Sequence, residues 1–520
     1  MLKFIKTLFS NKKHQAGSQG KDTLRLSKSV TKNLQFFREL LTDDDLIIYR
    51  EFEHQGNSAL KYAVIFVNGM VNDETINENI IAPLIEFSFE VETGLKESLL
   101  DFLIKKILIS AKVRREKVVE ELINAVLYGN TMLLVEGVAE ALLIDTSEFK
   151  HRPITEPRSE SVVRGSREGF TESILINISL IRRRLTCMDL KLKMMKIGER
   201  THTQVCLCYL EGVAHPKIVA EVLQRLQKIK IDAILESNYI VELIKDAPLS
   251  PFATIYSTER PDIVVANLLE GRVALIIDGT PFALTMPCLF IEFFQANEDY
   301  YTNFLYASFN RLLRFGGFFL ATSLPAIYVA LTTYHQEMIP TALLLNISAA
   351  REGMPFPTVI EALFMTLIFD FLKESGVRLP SPIGSTIGFV GAIIVGQSSV
   401  TAKMVSAPIV IIAAITGISN FLTPKILGPI IFMRLFLLIL SSILGLYGYI
   451  FGVVAITIHL MSIRSFGVPY MSPLTSFKIQ EIKDTAFRAP WWLMNYRPKL
   501  IGDRNPVRQK KSEQQSEGSE

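Results

Sequence analysis

Tryptophan is nearly missing: the chain has two in 520 residues, adjacent at positions 491 and 492. Histidine (7) and cysteine (4) are almost as sparse, and each scarcity closes off chemistry. The histidines are scattered, with no HExxH pair that a helix face could offer to zinc. Cys187, Cys206, Cys208 and Cys288 include no CxxC, and Cys206-Leu207-Cys208 alternates as a strand does. They read as reduced core residues of a cytosolic compartment. There is no phosphate-binding loop and no GxSxG elbow, so no catalytic residue, metal or cofactor is assigned and the chain is read as not an enzyme. A net charge of +3, without basic stripes interleaved with aromatics, gives no footing for nucleic acid. The opening MLKFIKTLF is too short an apolar stretch for a secretory signal and runs into polar NKKHQAGSQGKD.

Apolar length is abundant. Hydrophobic residues make up 49% and mean hydropathy is +0.29, yet 21% of residues are charged, which suggests a soluble half and a membrane half. Residues 1–30 form a basic mobile tail. Over 31–146, LKYAVIFVNGM, TMLLVEG and EALLIDT read as strands around helical LKESLLDFLIKKILIS and EKVVEELINAVL, a first α/β subdomain. The Pro-, Ser- and charge-rich stretch 147–170 reads as a linker. A second α/β subdomain follows at 171–288, with a strand pair in KLKMMKIG and THTQVCLCYLEG and a hairpin turning at Asp278-Gly279.

The aromatic-rich stretch 289–314 predicts one interfacial helix, and Arg311 and Arg314 place its flank in the cytoplasm by the positive-inside rule. A membrane domain spans 315–463, since about 20 apolar residues cross a core of about 30 Å. Its last run, 427–463, fits either one long tilted helix or a hairpin at Gly445, Gly448 and Gly452; the short segment 357–372 is either a span or re-entrant. Residues 464–520 form a basic cytoplasmic tail with Lys478, Lys483, Arg488, Arg497 and Lys499, and Trp491-Trp492 as an interface anchor.

Within the apolar half, Gly384, Gly388, Gly391, Val395 and Ser398 fall on one narrow helical arc, while Ile393 and Ile394 fill the remainder. Such a stripe either admits a neighbouring helix or lines a path for a small solute, and these five are the candidate pore-lining residues. Intramembrane charge marks a second candidate set: Glu361, with Arg351 or Arg434 as its ion-pair or gating partner. Asp370 shares the helix of Glu361 but lies on another face.

Four long stretches, VVRGSREGFTESILINISLIRRRL, GTPFALTMPCLFIEFFQANEDYY, LPAIYVALTTYHQEMIPTALLLNISAAREGMPFP and RLPSPIG…VGAIIVGQSSV, resemble the A subunit of spore germinant receptors, the GerA family. The resemblance runs from about residue 45 to 490. The chain departs at Lys373-Glu374-Ser375-Gly376 and at Ser398-Ser399, where the family pattern is REAG and small apolar residues. The resemblance implies a multi-pass protein of the spore inner membrane with soluble parts on the core side. It implies B and C subunits as partners, a small nutrient germinant bound mainly by the B subunit, and contact with membrane lipid. A homo-oligomeric ring that opens as a nutrient-gated channel for monovalent cations is its leading implication. The alternative is a non-conducting scaffold that relays germinant binding to a separate channel. A secondary transporter fits less well, because the apolar half shows no internal repeat.

Overall fold

Strand-forming runs separated by amphipathic helices fold here as two five-stranded sheets of identical strand order. The computed structural model describes residues 26–508 apart from 88–98, 111, 149–159, 161, 163, 379–390, 392, 475–483, 495, 498–500, 503, 504 and 506. The chain clusters into two units, 1–151 with 182–192, and 152–181 with 193–520. An α/β region therefore precedes a helical C-terminal region.

In the first unit, helix α1 (Val30–Leu40) leads into strands β1 (Ile47–His54) and β2 (Asn57–Val67). Helical turns over 73–86 and 99–107 follow, then β3 (Val113–Glu116), α2 (Val119–Leu127), β4 (Asn130–Val135) and β5 (Ala141–Asp145). The sheet runs β1-β2-β4-β5-β3, antiparallel at each of these pairings. Helix α2 buries Val119, Leu122, Ile123, Val126 and Leu127, the spacing of one apolar helix face. That face covers β2, whose last six residues, Tyr62–Val67, are buried on both sides.

The second α/β region repeats this order. Helix α3 (Ile174–Arg184) precedes β6 (Leu190–Ile197), β7 (Thr203–Leu210), α4 (Pro216–Gln227) and α5 (Ser237–Ile244). Then come β8 (Tyr256–Thr258), α6 (Pro261–Glu270), β9 (Val273–Ile277) and β10 (Ala283–Met286), ordered β6-β7-β9-β10-β8. The likeness reaches single hydrogen bonds. In the first sheet Asn33 exchanges two bonds with the backbone of Ser27, and Glu136 accepts from the Val30 N–H at 2.8 Å. In the second, Asn177 does the same with Thr171, and Asp278 accepts from the Ile174 N–H at 3.0 Å. Gly137 and Gly279 donate to Lys28 and Glu172 at the matching turn. Each carboxylate caps a helix N-terminus, where unpaired N–H groups favour negative charge. The two α/β regions are copies of one design.

The predicted interfacial helix over 289–314 is replaced by three pieces. A 3₁₀ turn (Phe290–Phe294) is wholly buried, a short helix (Glu298–Tyr301) follows, and α7 (Phe304–Thr333) begins before Arg311. Apolar rings at 290, 293 and 294 gain more from a packed aromatic core than from a wet surface; Phe294 stacks on Phe315 at 4.3 Å. After α7 come α8 (Thr341–Arg351), α9 (Thr358–Arg378), a helical stretch at 393–401, α10 (Ala407–Ser419) and α11 (Leu427–Ser462).

Helix α11 is broken at Gly445 (φ 60°, ψ −138°), a conformation glycine adopts without a Cβ clash. A Cβ on Gly452 would stand 2.7 Å from Leu437, although a straight helix would separate them by about 22 Å. The run 427–463 is thus a helical hairpin. At its apex Gly445 meets Tyr334 and His335, just past the end of α7. At the other end Gly317 meets Leu422, and Lys425 meets Tyr256 of β8. Helix α7 and the first arm of the hairpin therefore run the same way and the second arm returns, so the chain before α7 and after α11 lies at the same end. Among the described residues, Phe304–Thr333 and Pro424–Ser462 are long and apolar enough to cross a membrane.

The described part of the C-terminal segment is docked on the second α/β region. Ile501 is buried in the core of the second sheet, and Arg497 donates to the carbonyls of Leu269, Asn505 and Val507. Lys478, Lys483 and Lys499 lie outside the described residues.

Candidate functional site

The bundle carries large apolar side chains on its outside as well as in its core. Helix α10 buries Ala413, Thr416 and Ser419 and exposes Ile411, Ile415 and Ile418. Helix α11 buries Ser441, Gly448 and Gly452 and exposes Phe432, Ile439, Ile443 and Phe451. Small and hydroxyl-bearing residues at helix contacts with large apolar ones outside is the pattern of helices packed in lipid.

Two carboxylates of α9 lie within this interior. Glu361, 1% exposed, accepts from the Ser406 N–H at 2.8 Å and its hydroxyl at 2.7 Å. The Arg351 Nε of α8 stands 3.7 Å from the other carboxylate oxygen, an ion pair without a hydrogen bond. Arg434 does not reach Glu361; it pairs with Asp370 instead. Asp370 lies nine residues further along α9, level with the middle of the hairpin's first arm, while Glu361 lies at the end where Ser406 is. Sequence reading had set Asp370 aside because it shares no face with Glu361. The signal that could have found its partner was Arg434 itself, an arginine in an otherwise apolar run that needs a buried counter-charge.

Of the candidate pore-lining residues, Gly384 and Gly388 lie outside the described residues. The described remainder of the stripe divides. Gly391 packs toward Leu372, where a Cβ would come within 3.0 Å, and Val395 is half-buried. Ser398 is exposed, together with Gln397 and Thr401. Ile393 and Ile394, expected to be packed, are exposed as well. Packing goes instead through Gly396, set against Val410, and Ser399. The outward face of 393–401 therefore carries polar Gln397, Ser398 and Thr401 beside apolar Ile393 and Ile394.

The end of the bundle nearest the second sheet is held by ion pairs. Lys425, ahead of α11, pairs with Glu160 at 2.6 Å and with the Tyr256 hydroxyl, whose pKa burial pushes up to about 12. After α11 a two-stranded ribbon, β11 (Arg464–Ser465) and β12 (Val468–Pro469), plugs into the α/β core. There the Phe466 N–H donates to Asp246 at 2.7 Å and the Arg225 guanidinium sits 4.6 Å from the Phe466 ring. Beside the ribbon Arg272 pairs with Glu292, whose carboxyl burial raises above its ordinary value despite that partner. Burial, with Glu292 adding to it, also pushes the Cys288 thiol up, so it is an inert core group and not a nucleophile. Arg311 and Arg314 point inward: both bond Asp299, at 2.9 and 2.8 Å, and Arg311 also holds Asp484 at 2.7 Å. No group of metal-ligating side chains occurs among the described residues.

This geometry defines a class: two α/β regions of one design, the second joined by ion pairs and a ribbon to a bundle of apolar helices with charged residues inside. The model of the Bacillus/Clostridium GerA spore germination protein matches residues 35–500, and the chain belongs to that family. It is 44% identical over 490 residues to spore germination protein KA of Bacillus subtilis (strain 168), covering 94% of this chain and 89% of that protein. It is 40% identical over 475 residues to the uncharacterized membrane protein YfkQ of the same organism, covering 91% of each. Spore germination protein GerLA of Bacillus cereus is 37% identical over 465 residues, covering 89% of this chain and 93% of that one. Among solved structures, the N-terminal domain of the A subunit of the Bacillus megaterium spore germinant receptor GerK3 aligns at 32% identity. It covers 52% of this chain and 99% of that one, with a TM-score of 0.40.

Proposed function

We propose that the chain is the A subunit of a nutrient germinant receptor in the spore inner membrane, and that copies of it assemble into a ring that conducts monovalent cations. One observation carries this reading: Gln397, Ser398 and Thr401 are exposed together on one face of the helical stretch 393–401. Polar side chains facing hydrocarbon are costly, so this face belongs against other copies around a wetted axis. Val395, half-buried at its edge, is the apolar side chain placed to close such an axis by dewetting. Gly384 and Gly388 are assigned to the same path in this reading, while Gly391 packs on Leu372.

In this reading the α/β regions and both chain flanks lie on the core side, B and C subunits bind the assembly, and the nutrient is held mainly by B. Neither catalysis, a cofactor nor nucleic acid enters. A second reading is favoured by the Lys425–Glu160 pair and the inserted ribbon, which tie the hairpin to the α/β core. The chain would then be a non-conducting relay to a separate channel. Ion flux from liposomes holding only this protein separates the two: flux supports the channel, and its absence with correctly inserted protein supports the relay.

A further inference from the structure

We propose that segment 484–493 lies flat on the membrane and, with the first turns of α7, forms an aromatic anchor in the lipid headgroup layer. The inference rests on the reading of α7 as a membrane span. The segment turns its polar side inward. Asp484 holds the Tyr300 hydroxyl at 2.8 Å and Arg311 at 2.7 Å, while the Arg488 N–H donates to the Ser308 hydroxyl at 3.1 Å. The Arg488 guanidinium donates to the Thr302 carbonyl at 2.9 Å.

Its apolar side is left outward. Phe487, Trp491 and Trp492 are 58%, 47% and 54% exposed, and the Trp492 ring meets Phe304 at the start of α7. From there Leu305, Tyr306, Phe309, Leu312, Leu313 and Phe319 form one exposed stripe at helical spacing. Beyond Phe319 the line continues into the part of α7 that would cross the bilayer as half-buried Leu320, Leu324, Ile327 and Leu331. A crossing of about 20 residues, counted back from Thr333, ends near Arg314, so the turns before it sit at headgroup depth. Arg488, 4% exposed, backs the Trp491 ring from the inner side at 5.6 Å, and Arg508, 5.9 Å from the same ring, pairs with Glu270. An apolar body with one polar edge is the kind of side chain that settles in this layer. The lipid surface is therefore the occupant, continuous with the face that α7 already presents to hydrocarbon.

The test exploits the scarcity of tryptophan, since both residues of the chain lie in this segment. The full chain, and the single variants Trp491→Phe and Trp492→Phe, are reconstituted in vesicles of lipids brominated near the carbonyl end or near the methyl end of the acyl chains. Expected is a fall in fluorescence of about twofold or more with the shallow bromines, a smaller fall with the deep ones, and protection from acrylamide. Quenching by acrylamide but not by brominated lipid would put the segment in water and overturn the anchor. Quenching by neither would mean another copy or subunit covers it, which overturns it equally. Protein that floats with the vesicles yet shows either of these results refutes the anchor alone. Protein that fails to float refutes the span reading beneath it.

Discussion

Glu361 and Ser406 meet inside the helical bundle, 45 residues apart in sequence, with one carboxylate oxygen taking both the N–H and the hydroxyl of the serine. The N–H it satisfies stands ahead of α10, where a helix N-terminus leaves donors unpaired. The contact thus clamps the start of α10 to the start of α9, and Arg351 balances the charge.

If that clamp is structural, Glu361→Ala should destabilise the bundle by about 3–5 kcal/mol, since it takes the charged acceptor from both the Ser406 N–H and its hydroxyl and leaves partly exposed Arg351 unpaired. Ser406→Ala should cost about 1–3 kcal/mol by removing one hydroxyl and leaving the N–H bond. The amount of membrane-inserted protein and its thermal aggregation midpoint should fall in that order. Equal loss in both variants would contradict the ranking.

Arg434 and Asp370 yield a different test. Arg434→Met alone leaves half-buried Asp370 without its partner and should cost about 1–3 kcal/mol. Adding Asp370→Leu should restore most of the loss, because an apolar pair suits a lipid-packed interior. A double variant as unstable as the single one would show that the charges serve more than each other.

The duplicated caps should behave as a pair. Glu136→Ala and Asp278→Ala each remove the acceptor of one helix N-terminal N–H and should cost about 1 kcal/mol in their own sheet. Hydrogen exchange should rise at 30–34 in the first variant and at 174–178 in the second. Loss of protection in both regions from either change would contradict their independence.

How much of this was legible beforehand differs between residues. Strands around Val64, Leu133 and Ile276 were readable because their β-branched and aliphatic runs are bounded by turns. The duplication was not, because Ser27 stands where Thr171 does and Glu136 where Asp278 does; hydrogen-bonding capacity is kept while residue identity changes. The break at Gly445 was one of two open readings, since glycines permit a hairpin without requiring it. Phe290, Phe293 and Phe294 misled, as aromatic content alone does not tell a lipid interface from a core. The candidate stripe divided for a related reason: periodicity places residues on an arc of 393–401, but which arc faces inward depends on Val410 and Leu372, far off in sequence.

Acid should loosen the end of β5. A hydrogen bond from the Ser147 hydroxyl, with Lys112 and the Ser147 N–H helping, lowers the Asp145 carboxyl below its ordinary value of 3.8. A depressed folded pKa means that the stabilisation is present above the unfolded value and is lost as pH falls through the folded one. Asp145 is partly exposed, so the effect is small, under about 1 kcal/mol. Exchange protection over 141–147 should drop in Asp145→Asn at pH 7, and the difference from the parent should shrink as pH falls below the ordinary carboxyl value of 3.8. A difference that persists in acid would contradict the assignment.

The most direct measurement is cation flux from liposomes carrying the purified chain, with Val395→Ala compared against Ile409→Ala. Val395 borders the exposed polar face of 393–401, whereas Ile409 is 1% exposed in the bundle interior. Removing two methyl groups from each copy at an apolar constriction keeps it hydrated more often. The account expects Val395→Ala to leak without nutrient, at parental levels of assembled protein, and Ile409→Ala to lower the amount assembled without leak. Loss of assembly without leak in both variants would contradict a pore lined by this helix.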